Sequence, residues 1–273
     1  MSGPGVSVLT AALRPDSAFL WQAYASLREQ AGVDWEWVLQ IDGPDDDLRD
    51  LPAGILADPA VHVRANGERL GVAATRNLAL LSCRYELVQN LDADDLLAPG
   101  ALACLSAALQ QEGVAFAFGC SHRFTDRGTV EHWQPAPWPA GVLEPGVVAS
   151  RWLATGRHHV SLNGTMWKRI YVEAYGGWGA LRGMQDVHLA LAVSEDHFVA
   201  YVDRPTVFSR VHTGQNTRQE WLTGERETRH REWCARRILS ARRLKDGAKD
   251  PSPAGYLDPR DGTQRSLSAS SLR

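Results

Sequence analysis

A chain of 273 residues with 29 Lys and Arg against 32 Asp and Glu, net charge -3, is long enough for one large α/β domain or two small ones and lacks the basic excess of a nucleic-acid binder. Its four cysteines, Cys83, Cys104, Cys120 and Cys234, form no CxxC pair and have no histidines at zinc-site spacing; they read as buried thiols, with no metal finger or disulfide frame. No apolar run approaches the roughly 18 residues that span a bilayer and no signal-like N-terminus is seen, so a reducing, cytoplasmic setting is expected.

In chain order, residues 6–10 (VSVLT) are a short, partly β-branched apolar run that reads as a strand. Arg14-Pro15-Asp16 then leads into a helical pattern with Leu20, Tyr24 and Leu27 on one face, ending by Gly32. Residues 35–41 (WEWVLQI) form a second strand, halted by the turn signal Asp42-Gly43-Pro44, and residues 61–64 (VHVR) a third, weaker one. Residues 71–82 read as helix, 86–91 as strand, 99–110 as helix and 114–118 as strand. Strands separated by helices of this length predict a mostly parallel sheet with right-handed crossovers. Ligands bind beyond the carboxyl ends of such strands, where Thr10-Ala11, Asp42 and Leu91-Asp92-Ala93-Asp94-Asp95 all fall.

That last stretch is the most informative in the chain, because folding gives no reason to gather three carboxylates at the end of an apolar strand. A cation is expected there. Mg²⁺ and Mn²⁺ take oxygen ligands and keep positions open for substrate phosphates. The alternative, that Asp94 or Asp95 caps the helix beginning near Pro99, accounts for one acid only.

After residue 119 the alternation weakens. Trp133-Gln134-Pro135-Ala136-Pro137-Trp138-Pro139 reads as an irregular excursion, followed by a helix over 145–155, the segment 160–167, helical spacing over 186–192 and a last strand at 198–202. Residues 218–245 carry nine basic residues against four acidic ones and read as a solvated basic helix, contact with an anionic membrane or acidic partner being the alternative. From 246 onward Pro, Gly, Ser and charge predict a disordered tail.

The order of these motifs resembles the inverting family-2 glycosyltransferases of the GT-A fold over residues 6–217. The resemblance is carried by the opening strand, Asp42, Asn66-Gly67-Glu68-Arg69-Leu70-Gly71-Val72-Ala73-Ala74-Thr75-Arg76-Asn77, and the acid cluster with Pro99-Gly100. Met184-Gln185-Asp186-Val187-His188-Leu189 and Arg210-Val211-His212-Thr213-Gly214-Gln215-Asn216-Thr217 complete it. It implies a Rossmann-like, mostly parallel sheet flanked by helices, with a nucleotide-binding half (1–119), an acceptor half (120–217) and a C-terminal helical extension (218–245). It further implies a nucleotide-sugar donor, a UDP-sugar first, with Mn²⁺ or Mg²⁺ held by Asp94, Asp92 and His212 against the diphosphate. Asp42 would meet the nucleobase and Arg76 would help frame the nucleotide, with Thr10, Ala11, Asn66, Gly71, Asp92, Ala93, Asp95 and Gln215 around it; Asp186 would be the catalytic base. Two departures stand out: Gln185 where Glu is common, and Thr10-Ala11-Ala12-Leu13-Arg14 where many relatives carry a Pro-Thr-Tyr-Asn-like turn, so base stacking is expected from another side chain.

The chemistry suits those residue types. Expulsion of a nucleoside diphosphate builds negative charge that a metal stabilises as a Lewis acid, while a carboxylate on the opposite sugar face takes the acceptor's proton. Each residue also has a plainer role: Asp186 as a helix cap, Asp42 as a turn former, His212 as a structural histidine, Arg76 in a surface pair, Asn163-Gly164 as a turn instead of a loop facing the acceptor. A sugar-nucleotide pyrophosphorylase would need a glycine-rich phosphate loop that residues 6–14 lack; a non-catalytic nucleotide-sugar-binding scaffold is the remaining alternative. Trp133, Trp138, Trp152, Trp167 and Trp178 in the second half suit a saccharide, glycosylated small molecule or natural-product acceptor, without a motif that names one.

Overall fold

The computed structural model describes residues 4–125, 128, 130–132, 137–157, 159–179, 183–212 and 225–247. The chain runs β1 (Val6–Ala12), α1 (Ser17–Arg28), β2 (Trp35–Ile41), α2 (Ala53–Leu56), β3 (Val61–Ala65), α3 (Val72–Leu80), β4 (Leu87–Asn90), β5 (Leu96–Leu97) and α4 (Ala101–Ala108). The second half continues with β6 (Val114–Phe124), β7 (Val130–His132), β8 (Gly141–Leu143), α5 (Val147–Thr155), β9 (Met166–Lys168), α6 (Arg169–Ala174), α7 (Gln185–Asp196), β10 (Phe198–Arg210) and α8 (Glu225–Lys245).

One sheet holds every strand among the described residues, in the order β3-β2-β1-β4-β9-β6-β10-β5, with β7 on β6 and β8 on β10. Pairing is parallel through β3-β2-β1-β4 and again between β6 and β10; β9 joins the two parallel blocks antiparallel to both neighbours. Period-2 alternation feeds two cores, one on each face. Val6, Val8, Trp37, Leu39 and Ile41 pack with Leu20 and Leu27 of α1 and Leu102 and Leu105 of α4, whereas Leu9, Val38, Phe116 and Phe118 pack with α3, α5 and α7. Asp16 opens α1 by accepting from Ala18 N at 2.8 Å and Phe19 N at 3.2 Å.

The expected helices and strands of the first half are present with boundaries moved by a few residues. Three differences stand out. β9 forms from residues whose pattern named no strand, since three residues suffice when both edges are paired. β6 and β10 run on to Phe124 and Arg210, past the apolar stretches at 118 and 202, because their polar ends pair with each other; Pro205 sits where the register shifts, as a residue without an N–H must. Of the cysteines, Cys83 and Cys234 are buried, but Cys104 and Cys120 are partly exposed, a correction to four buried thiols. The chain divides into two compact units, Met1–Ile238 and Leu239–Arg273, and strand β6 runs through residue 119 without a break. The expected boundary at 217, the start of the basic helix at 218, Trp133 and the tail beyond 247 lie outside the described residues. No described helix is long and apolar enough to cross a membrane.

Candidate active site

At the carboxyl edge of β1 and β4 the backbone is fixed by buried polar groups. The Thr10 hydroxyl donates to Leu91 O at 2.7 Å and accepts from the Trp37 indole N–H at 2.9 Å, so it is engaged in the core. Beyond Leu91 the chain turns, with Asp95 N donating to Asp92 O at 3.1 Å, and the three acids part company. Asp95, 3 % exposed, accepts from Arg210 N at 2.8 Å, Ser209 Oγ at 3.2 Å and the Asn163 amide. Burial raises its carboxyl well above the usual carboxylate range, Asp92 and Asp94 adding to the rise and the Arg210 and Asn163 donors opposing it.

Asp94 instead turns to His212, whose Nε2 lies 2.8 Å from Asp94 Oδ2. Arg210 holds this corner together. Its Nε donates to Asp94 O at 3.0 Å, its Nη2 to Gln22, and its guanidinium lies between the rings of Phe19 and Phe124, 4.2 and 4.5 Å from their centroids. A guanidinium only 2 % exposed is tolerable there because its donors and both faces are used.

The second wall of the site is the β3–α3 connection. Asp42 Oδ1 accepts from Leu70 N at 2.6 Å, Gly71 N at 3.0 Å and Asn66 Nδ2 at 3.1 Å, and Oδ2 accepts from Gly71 N at 3.0 Å. Asn66 adds bonds to Thr75 Oγ1 and Gln40 Nε2, both 2.9 Å. Asp42 therefore clamps residues 66–71, a different structural duty from forming the Gly43-Pro44 turn. Gly71 opens α3 at φ 90°, with open space where a Cβ would stand.

From α3, Arg76 reaches the centre of the site. Nη2 donates to Asp92 Oδ1 at 2.9 Å, while Nη1 lies 3.8 Å from Asp186 Oδ2 and, buried, has no hydrogen-bond partner among the described residues. Burial raises the Asp92 carboxyl, and Asp94 and Asp186 add to the rise; Arg76 opposes it, and with 41 % of the side chain exposed water moderates the effect. Asp186 sits in the first turn of α7, where its Oδ1 accepts from Val187 N at 2.8 Å and the helix dipole favours a carboxylate. Its side chain is 27 % exposed. Met184 before it adopts a left-handed φ of 57°, and Gln185 is buried with its Oε1 unpartnered among the described residues.

Asp42, Asn66 and Gly71 thus form one group and Arg76, Asp92 and Asp186 a second, both reaching α3, while Asp94 and His212 form a third in which Arg210 ties Asp95 to the Asp94 backbone. Ala93 packs against the core, Ala11 pairs with Gln40 in the sheet, and Gln215 lies outside the described residues. Among the described residues no three His, Cys, Asp or Glu side chains are gathered as a ready-made metal site; Asp94 and His212 converge, while Asp92 is drawn to Arg76. Ser209 and Gln22 were not singled out from sequence, Arg210 stood there only as the first residue of the motif with His212, and Asn163 points at Asp95 rather than only making a turn. The available signal was that arginine, two residues before the motif histidine.

A parallel α/β sheet crossed by antiparallel strands, with acids at its carboxyl edge, is the GT-A architecture. Residues 7–172 match the family described as Glycosyl transferase family 2, and the chain belongs to that family. The crystal structure of S. aureus TarS 1–349 in complex with UDP-GlcNAc superposes with a TM-score of 0.63 at 14 % identity, over 88 % of this chain and 72 % of that one. The complex of the same TarS fragment with UDP gives 0.62 at 15 % identity, over the same shares, 88 % and 72 %. A stretch of 103 residues, 38 % of this chain, is 34 % identical to the uncharacterized protein MT1568 of Mycobacterium tuberculosis (strain CDC 1551 / Oshkosh), of which it spans 32 %.

Proposed function

We propose that this chain is a metal-dependent inverting glycosyltransferase that moves a sugar from a nucleotide-sugar, a UDP-sugar first, to an acceptor hydroxyl, with Asp186 as general base. Family membership and the UDP-GlcNAc and UDP complexes of a structural neighbour support the donor class. The observation that carries the mechanism is the position of Arg76, joined to Asp92 on the donor side and 3.8 Å from Asp186, with Nη1 buried and without a hydrogen-bond partner among the described residues. A diphosphate oxygen at Nη1 would satisfy that donor with a charge-assisted bond.

The carboxylates of Asp94 and Asp92 and the His212 imidazole are a donor set that suits Mn²⁺ or Mg²⁺ completed by substrate phosphates. Bound there, the ion would neutralise charge developing on the leaving diphosphate. Asp95, fixed by Arg210, Ser209 and Asn163, holds the acid loop in register beside it. Asp186 would accept the acceptor's proton as its oxygen attacks the anomeric carbon in line with the departing diphosphate, which inverts that centre. Asp42 with Asn66 shapes the segment that meets the nucleobase, and Asp42 Oδ2 keeps capacity for one more donor.

The test is release of nucleoside diphosphate from a nucleotide-sugar panel, UDP-GlcNAc first, against saccharide, glycosylated small-molecule and natural-product acceptors, with and without Mn²⁺. Metal-stimulated turnover is expected, with Asp186→Asn lowering transfer at least ~10²-fold while donor binding persists. Turnover indifferent to Mn²⁺, EDTA and Asp186→Asn alike would refute the proposal.

A further inference from the structure

Arg76 is not the only tie between α3 and the segment that delivers Asp186. The next residue, Asn77, lays its amide along the backbone of Trp178: Nδ2 donates to Trp178 O at 3.0 Å and Oδ1 accepts from Trp178 N at 2.9 Å. One side chain thereby makes the reciprocal pair that two strands make, across 101 residues of sequence. A short amide can do this; a carboxylate has no donor and an aliphatic side chain has neither group.

The surroundings are built for that approach. Gly177 has φ +70° and any Cβ on it would overlap Asn77 Oδ1, so both its conformation and the closeness of the amide call for glycine. On the far side, a Cβ on Gly179 would stand 3.6 Å from Nδ1 of His188, two residues past Asp186 on α7. Trp178 is 2 % exposed and shares the core with Val187, Leu189 and Leu191 of α7. Residues 177–179 are therefore held by α3 and lie beside His188 in the first turns of α7.

We infer that Asn77 is a positioning residue for Asp186: by holding the Trp178 peptide it fixes the surface on which the start of α7 rests, and so fixes the carboxylate relative to Arg76. This rests on the proposed role of Asp186. A merely structural Asn77 would lower the amount of active protein; a positioning one lowers the chemical step through Asp186 alone.

The experiment measures transfer by Asn77→Asp and Asn77→Ala with a UDP-sugar and Mn²⁺, in otherwise native and in Asp186→Asn backgrounds, together with UDP affinity by calorimetry. Asn77→Asp keeps the size and the acceptor but loses the donor to Trp178 O. Transfer kcat should fall at least tenfold in both variants with UDP affinity and donor KM within twofold, and the same change should cost less than twofold once Asp186 is Asn. Gly177→Ala, which intrudes on the pair with Asn77 in place, should give the same split and serves where an Asn77 variant does not fold. Native-like kcat in these variants, or an equal loss in both backgrounds, overturns the inference. If Asp186→Asn itself leaves transfer intact, it is the general-base proposal that fails.

Discussion

Arg76→Met removes the only cation that the described structure places between Asp92 and Asp186, and its cost follows from the geometry. The arginine side chain is 7 % exposed and its nitrogens lie 2.9 and 3.8 Å from the two carboxylates. At an effective dielectric of ~20 each contact is worth roughly 4–6 kcal/mol of Coulomb energy, but desolvation cancels most of it, and hydrogen bonds to charged groups contribute about 1.5–3 kcal/mol net. With Asp92 41 % and Asp186 27 % exposed, water takes a further share, leaving about 2 kcal/mol for the substitution. In a unit of this size that lowers the melting temperature by about 4–8 °C.

The effect depends on pH in a defined direction. A raised carboxyl such as Asp92 favours the folded state below its unfolded pKa and withdraws that support as pH rises through its folded value; Arg76 limits the withdrawal. Loss of the guanidinium should therefore destabilise most at pH 8 and least near pH 4. Guanidinium chloride unfolding at both values is the assay, with Asp92→Asn in the same background restoring about 1 kcal/mol or more at pH 8. A loss under about 0.5 kcal/mol at pH 8, or one that does not change with pH, would show that the two carboxylates do not depend on Arg76.

Other perturbations are equally direct. Burial, assisted by Arg237, pushes the His188 imidazole down to about 4, so stability should fall as pH drops from 6.5 toward 4, by up to about 3 kcal/mol; His188→Phe should flatten that slope, and an unchanged slope refutes the assignment. Burial also pushes the Cys83 thiol up to about 12 and the Cys234 thiol up to about 11, so iodoacetamide at pH 8 should modify neither in folded protein, and mass spectrometry finding either one alkylated before Cys104 contradicts the packing. Asp94→Asn and His212→Ala should each weaken Mn²⁺ binding by paramagnetic resonance at least tenfold, and retention of native affinity removes the residue from the metal shell.

Much of the fold was legible because the first half obeys simple periods. WEWVLQI alternates, its Trp37, Leu39 and Ile41 face one core and Val38 the other, and the turn residues that follow mark its end. The acids stood out because carboxylates do not end buried strands without cause. What the sequence concealed is long-range pairing. The ends of β6 and β10 look like polar loop until each is seen to be the other's partner, and nothing local says that Asn163 will meet Asp95 across 68 residues or Asn77 meet Trp178 across 101. Asp42 shows the same limit: an Asp before Gly-Pro suggests a turn, yet its Oδ1 is engaged by a loop more than 24 residues on.

The thirteen residues of β10 act as a ruler laid from the end of α7 to the acid loop. Past Val207 its spacing is unforgiving, since a single deletion there would exchange the two faces and swing Arg210 off Asp94. Between Tyr201 and Val207, where the register already slips twice, the strand has an expansion joint that can take up one residue. Changes of chain length arriving from the α7 side can thus be absorbed before they reach the corner where Arg210 meets Asp94, which makes residues 202–205 the place to splice this scaffold.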